Sequence, residues 1–197
     1  MKKLILATAS PRRIEILNEL GISFKAVTSC FEELECKKGQ SPSEYVAMNS
    51  RGKALDVAAK FKKAIVVGSD TVVVYRNRVL GKPENMKEAF EYIHLLSGRT
   101  HSVFTGMSLV DCETKRSVSS CEQTRVTFRE LTEKEISFYL NSIDPMDKAG
   151  AYAIQGAGSL IVEKISGCYY NVVGLPVAKL ENMLLDFGTS LFEYMET

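Results

Sequence analysis

The sequence is short of most features that announce a function by composition. It has two histidines, His94 and His101, and its five cysteines, Cys30, Cys36, Cys112, Cys121 and Cys168, include no CxxC pair. Neither set has the spacing of a zinc site, and an odd number of thiols without a pairing pattern argues against a disulfide framework and for reduced thiols in a cytoplasm. No sign of charge prevails: 25 basic against 24 acidic side chains leave a formal net charge of +1, which offers no global field to a nucleic acid polymer or an anionic membrane. Anion binding must therefore be local. Long apolar runs are missing too. Lys2 and Lys3 resemble the start of a signal peptide, but Leu4 to Ala7 is far shorter than the roughly 7–15 apolar residues such a segment needs, and nothing reaches membrane-spanning length. With no internal repeat, low-complexity segment or linker, the 197 residues read as a single domain, 1–197.

What is present is an alternation of strands and helices. Lys3 to Ala7 reads as a buried strand, and Pro11 to Leu20 as a helix that Ser10 can cap and Gly21 can end, with Ile14, Leu17 and Leu20 on its inner face. Phe24 to Thr28 reads as a second strand before the acidic loop "CFEELE", and Pro42 to about Phe61 as a helix with Tyr45, Val46 and Leu55 among its apolar positions. "AIVVGSDTVVVY", residues 64–75, is two β-branched runs around Gly-Ser-Asp-Thr and suggests two strands joined through a bend. "NRVLGKP" predicts a turn, a short strand and a loop; Lys87 to Leu96 a helix; 103–110 and 118–128 long strands joined by a turn; and Glu133 to about Asn141 a helix capped by Thr132. The glycine-rich stretch after Asp147 suggests a strand and hairpin, followed by a helix from Pro176 to about Phe187. The pattern predicts an α/β fold: a mixed central sheet flanked by helices, in two lobes with a cleft.

Three places can carry chemistry. "LATASPRR", residues 6–13, turns a strand into a helix start, where unpaired backbone N–H groups and the helix dipole favour an anion; Arg12 and Arg13 add bidentate donors, and Thr8 and Ser10 add hydroxyls. Asp70 is the only charge in 64–75, so its carboxylate must be paired, hydrogen-bonded or metal-bound. Glu32 and Glu33 can supply a second carboxylate, and Lys53 and Lys82 gain meaning only if they converge on Asp70. "GAYAIQGAG", residues 150–158, lets backbone approach a ligand and brings Tyr152 and Gln155, whose amide offers donor and acceptor together, as recognition of a base's imide edge requires. His101 reads as structural or phosphate-facing rather than catalytic.

Taken together, "LATASPRR", "EE" at 32–33, "GSDTVV" at 68–73, "LGKP" at 80–83, "LSGRTHSVFTG" at 97–106, "DKAGAYAIQG" at 147–156 and "YYNVVGLP" at 169–176 resemble the Maf family of nucleoside triphosphate pyrophosphatases over nearly the whole chain. The resemblance implies a fold similar to inosine triphosphate pyrophosphatases and hydrolysis between the α- and β-phosphates with a divalent metal, Mg²⁺ or Mn²⁺. It implies that Asp70 is the catalytic acidic residue, treated as the proton acceptor, with metal binding by Asp70 instead or as well left open, that Glu33 is its companion carboxylate at the metal, and that Lys53 and Lys82 contact phosphate as catalytic groups. Ser10, Arg12, Arg13, Thr71 and Gln155 become substrate-binding residues, with Arg12, Thr71 and Gln155 at positions of substrate choice. "AGAYAIQG" is similar to the branch acting on dTTP and UTP. One departure is Gly52 in "NSRGKA", where a bulkier helix former would be expected.

Two rival classes share parts of this pattern. A nucleotidyltransferase also combines an N-terminal arginine loop, a strand aspartate and a Lys-Pro turn, but needs a second substrate before pyrophosphate is released. A nucleotide-sensing regulator linked to cell division would bind without turnover, yet Asp70 and Glu33 would repel a triphosphate unless a metal were present, which favours an enzyme. Modified pyrimidine nucleotides share the same imide edge, so a house-cleaning role is compatible with the site. Leu180, Leu184 and Phe187 read as core, and a homodimer stays open.

Overall fold

The computed structural model describes residues 2–196. Seven strands and six helices follow one another as β1 (Lys3–Ala7), α1 (Pro11–Glu19), β2 (Lys25–Val27), α2 (Pro42–Ala58), β3 (Ala64–Tyr75), β4 (Arg78–Leu80), α3 (Met86–Leu96), β5 (Thr100–Asp111), β6 (Ser117–Phe128), α4 (Glu133–Asn141), β7 (Val162–Ser166), α5 (Tyr169–Val173) and α6 (Val177–Leu185). The strands pair in the order β2-β1-β3-β5-β6-β7, with β4 on β3. β1 runs parallel to β2 and β3, whereas β4 is antiparallel to β3 and β7 to β6, so the sheet is mixed as expected. Among the described residues no helix is long and apolar enough to cross a membrane.

The chain divides into two compact units. One comprises the chain up to Asp70, Thr105–Glu122 and the chain from Gly174 onward; the other comprises Thr71–Phe104 and Gln123–Val173.

In the first unit α2 starts at a capping box, with the Ser41 hydroxyl accepting from Glu44 N–H and the Glu44 carboxylate accepting from Ser41 N–H, and with Pro42 at the first helical position. Its inner face is made of small side chains. Ser50, Ala54, Val57 and Ala58 are buried, while Leu55, expected inside, is 44% exposed. The reason is close approach: a Cβ on Gly68 would overlap the Ser50 carbonyl, and one on Gly106 would overlap the backbone of Val46. A helix seated this near a sheet has room for Ser and Ala but not Leu, which is why periodicity of large apolar residues misread its face. Gly106→Ala is expected to lower stability by about 1–3 kcal/mol through overpacking, read as a reduced urea midpoint.

Gly68 also explains why 64–75 is one continuous strand. The glycine admits α2 instead of bending the chain, and β1 pairs through it, Ala7 opposite Gly68. On α1, Leu17 is buried as expected, but Ile16 takes the inner position while Ile14 and Leu20 are half-buried. Leu180 and Leu184 of α6 are fully buried; Phe187 is half-buried under the Arg116 guanidinium, 4.6 Å from its ring centre.

In the second unit β3 turns into β4 through Arg76 and Asn77, both with positive φ (46° and 65°), the conformation of a tight two-residue hairpin turn. Tyr92, Ile93 and Leu96 of α3 pack with Phe128, Ile136, Leu140 and Tyr152. The Thr132 cap holds, reinforced by Glu135. The expected hairpin after Asp147 is absent: 149–151 and 156–160 are tight 3-10 turns, closed by bonds such as Gly158 N–H to the Gln155 carbonyl at 3.1 Å. A run of Gly and Ala has too little side-chain surface to hold a strand, so local turns win.

Candidate active site

The first unit builds a charged centre from three separated pieces of chain. Asp70 sits in the middle of β3 and is 6% exposed. Its Oδ1 accepts a bond from Lys53 Nζ at 2.6 Å, and its Oδ2 accepts one from Asn49 Nδ2 at 3.2 Å. Lys53 Nζ also lies 2.7 Å from Glu33 Oε1. The side chains of Asp70 and Lys53 are 8% and 12% exposed, that of Glu33 48%. One ammonium therefore joins a buried carboxylate to one that opens to solvent. Desolvation of such a pair is tolerable only because each charge is hydrogen-bonded, and the desolvated Asp70 expected from the sequence is thus satisfied by side chains.

Arg13 belongs to the same unit. Its Nε donates to the Gly174 carbonyl at 2.8 Å and its Nη1 to the Ser69 carbonyl at 3.0 Å; the Ser69 hydroxyl also donates to Gly174, at 3.0 Å. Burial holds the Arg13 guanidinium pKa below its ordinary value; the Asp70 charge opposes this, the neighbouring Arg12 charge adds to it, and Glu33 opposes it again. Arginine stays charged under these influences. Ser10 occupies the cap position of α1, yet its side chain does not cap; its N–H donates to Thr8 Oγ1 at 3.0 Å. The hydroxyl at this helix start is thus not committed to the helix, and Arg12 stands half-buried on the first turn.

Thus Glu33, Lys53 and Asp70 converge directly, and Arg13 stands within electrostatic reach of both carboxylates. Thr71, Lys82 and Gln155 belong to the second unit. There Thr71 is half-buried beside Asp70 in sequence, Lys82 is exposed after β4, and Gln155 is half-buried at the start of a 3-10 turn. His101 is in that unit too, buried with its Nε2 2.7 Å from the Tyr152 hydroxyl, a structural position.

Two residues escaped sequence reasoning. Asn49 is fully buried, accepting the Leu34 N–H at 2.9 Å as well as donating to Asp70. Its amide orientation is fixed by chemistry, because a backbone N–H can only donate and a carboxylate can only accept. Tyr45, one turn earlier, hydrogen-bonds to Asn49, and burial followed by the nearby Asp70 charge raises its phenol pKa. The signal was the i, i+4 spacing of Asn49 and Lys53, which puts both on one face of α2. Gly52, the departure in that stretch, is also explained: any side chain there would overlap the Phe31 ring, so the glycine seats the loop that carries Glu33.

Two carboxylates around one cation are hard oxygen donors, the kind that Mg²⁺ or Mn²⁺ takes from a protein when substrate phosphates complete the shell. Among the described residues no group of three His, Cys, Asp or Glu gathers around such a point, so a protein-only cage is not what this site offers. The donor set fits a metal that arrives with a phosphate ligand.

A family model described as Maf-like protein matches residues 3–187. A dTTP/UTP pyrophosphatase of Clostridium botulinum (strain Kyoto / Type A2) is 43% identical over 194 residues, covering 97% of this chain and 100% of the relative. Proteins of the same description from Thermoanaerobacter sp. (strain X514) and Bacillus cereus (strain G9842) are 48% and 49% identical, covering 92% and 95% of this chain and 95% and 96% of their own. Among solved structures, a nucleoside-triphosphatase / dITP/XTP pyrophosphatase from Mycobacterium abscessus is 12% identical with a TM-score of 0.40, covering 66% of this chain and 75% of that one.

Proposed function

The chain belongs to the Maf family, and from that membership we propose that it hydrolyses dTTP and UTP to the nucleoside monophosphate and pyrophosphate. The observation that carries this reading is the Lys53 ammonium held between Asp70 and Glu33, 2.6 and 2.7 Å from their oxygens. A buried carboxylate and a solvent-facing carboxylate, brought together by one ammonium, supply oxygen donors of the kind that metal-assisted attack on a phosphoanhydride uses.

Asp70 and Glu33 would hold Mg²⁺ or Mn²⁺, which would supply Lewis-acid polarisation of phosphate oxygens. Asp70 accepts the proton of the water that attacks the α-phosphorus in line with the leaving pyrophosphate. Charge builds on that leaving group as the bond breaks, and Lys53, Lys82, Arg12 and Arg13 offset it. Ser10, at the start of α1, donates to phosphate oxygens with the dipole behind it. Gln155 reads the base: its amide oxygen accepts the N3–H of thymine or uracil while its NH₂ donates to a ring carbonyl, whereas cytosine, with no N3–H, pairs only with an amide turned end for end. Arg12 and Thr71 complete the choice of substrate. Modified pyrimidines that keep this edge, such as 5-methyluridine and pseudouridine nucleotides, are accepted on the same ground, consistent with a house-cleaning role in the cytoplasm.

The test is product identity across all common nucleoside triphosphates with Mg²⁺ and with Mn²⁺. Pyrophosphate and monophosphate from dTTP and UTP, with little from CTP and purine nucleotides, is the expected result. Orthophosphate as the only product, or tight binding without turnover, would remove the proposed reaction and leave a binding role.

A further inference from the structure

Four residues of α2 spaced i, i+3, i+4 and i+7 each hold the acidic loop at a different point. Asn49 accepts the Leu34 N–H at 2.9 Å; Gly52 makes room for the Phe31 ring; Lys53 binds Glu33 at 2.7 Å; Asp56 accepts the Cys30 N–H and the Ser29 hydroxyl, both at 2.9 Å. The spacing places all four on one face of the helix, so residues 29–34, which have no regular secondary structure of their own, run along a helical template. The Cys30 N–H, and after it the Ser29 hydroxyl, hold the Asp56 carboxyl below its usual range.

Asn49 differs from the other three. Its side chain has no solvent exposure, and its two ends bind different parts of the centre: the oxygen takes the backbone next to Glu33, and the nitrogen takes the Asp70 carboxylate. An amide is a rigid plane, so moving either partner moves the other. We infer that Asn49 is a positioning residue that fixes the Glu33 loop and the Asp70 carboxylate at one separation, with the Phe31 ring on Gly52 as the second pin of the same loop. The inference rests on the proposed reading that the two carboxylates work together.

A buried asparagine can also be simple structural filling, and a double-mutant cycle separates the two roles. Asn49→Ala is expected to lower kcat for dTTP about 10–100-fold with KM little changed, the range seen when partners of ligating groups are removed. In a Glu33→Gln background the same change should cost at least about threefold less, because Asp70 is then the only carboxylate left to position. Amide exchange should quicken at Leu34 while the Ala54 to Ala58 amides of α2 keep their protection. An equal loss in both backgrounds, or unchanged exchange at Leu34, would overturn the inference. Should Asn49→Ala not fold, Phe31→Ala takes its place, since its ring lies on Gly52 and carries neither charge nor hydrogen-bonding group; non-additivity with Glu33→Gln supports the positioning role and additivity refutes it. Wild-type protein that turns over no triphosphate would sink the functional reading instead, and Leu34 exchange would still decide whether Asn49 tethers the loop.

Discussion

Asp70→Asn is expected to fold as the wild type does and to lose about 10²–10⁴-fold in kcat, the range that removal of a general base covers. The fold survives because Lys53 keeps Glu33 at 2.7 Å, so its ammonium is not stranded, but stability is lost because the one oxygen of an asparagine at 70 can serve Asn49 Nδ2 or Lys53 Nζ and not both. Chemistry does not survive, since an amide neither accepts the water proton nor brings full charge to a cation. The two parts of that loss can be told apart. A variant impaired only in metal affinity recovers as Mn²⁺ is raised; a variant lacking its proton acceptor reaches a plateau far below wild type. The expected result is the low plateau. Full recovery at high metal would assign Asp70 to metal binding alone and leave the proton to another group. Circular dichroism should match the wild type, and the urea midpoint should fall without unfolding the protein under assay conditions, which separates lost chemistry from lost fold.

The centre was legible in the sequence where chemistry forces rare residues into improbable surroundings. Asp70 alone among β-branched residues announced a satisfied buried carboxylate, and the Ser-Pro-Arg-Arg turn after a strand announced a helix start with basic side chains. Those signals are local. What escaped was set by tertiary approach. Asn49 looks like an ordinary helix polar residue until the Leu34 N–H and Asp70 are found on either side of it, and Gly52 looks like a defect until Phe31 is found over it. The Arg13 partners, the carbonyls of Ser69 and Gly174, carry no side-chain signature at all. The same cause misassigned the inner face of α2, where close contact at Gly68 and Gly106 replaced large apolar residues with small ones. The fold class followed from alternation of elements, which is a property of sequence. The separation of helix and sheet is not.

Acid should weaken the protein through His101. The imidazole is 3% exposed, packed edge-on against Phe128 and Tyr152 with ring centres 4.9 and 5.3 Å away, and its pKa is lowered by burial to about 3. Nε2 meets the Tyr152 hydroxyl, but Nδ1 has no partner among the described residues. An imidazolium carries two N–H donors, so protonation would strand one of them in an apolar setting. The unfolded chain takes this proton near its ordinary pKa of about 6.5, while the folded chain resists until about 3. Between those values the unfolded state binds more protons, so stability rises with pH; the full contribution is present above about 6.5 and is lost as pH falls toward 3. The difference is worth about 2 kcal/mol at pH 5 and on the order of 4–5 kcal/mol at the bottom of the window. Urea unfolding of wild type and His101→Gln at pH 7.5 and pH 5 isolates the effect, because every other titrating group is common to both proteins. Wild type should start more stable at pH 7.5, since glutamine cannot refill the ring contacts, and the gap should shrink by about 2 kcal/mol at pH 5. An unchanged gap would mean that His101 accepts its proton inside the fold, and that the second unit opens locally to admit water beside Tyr152.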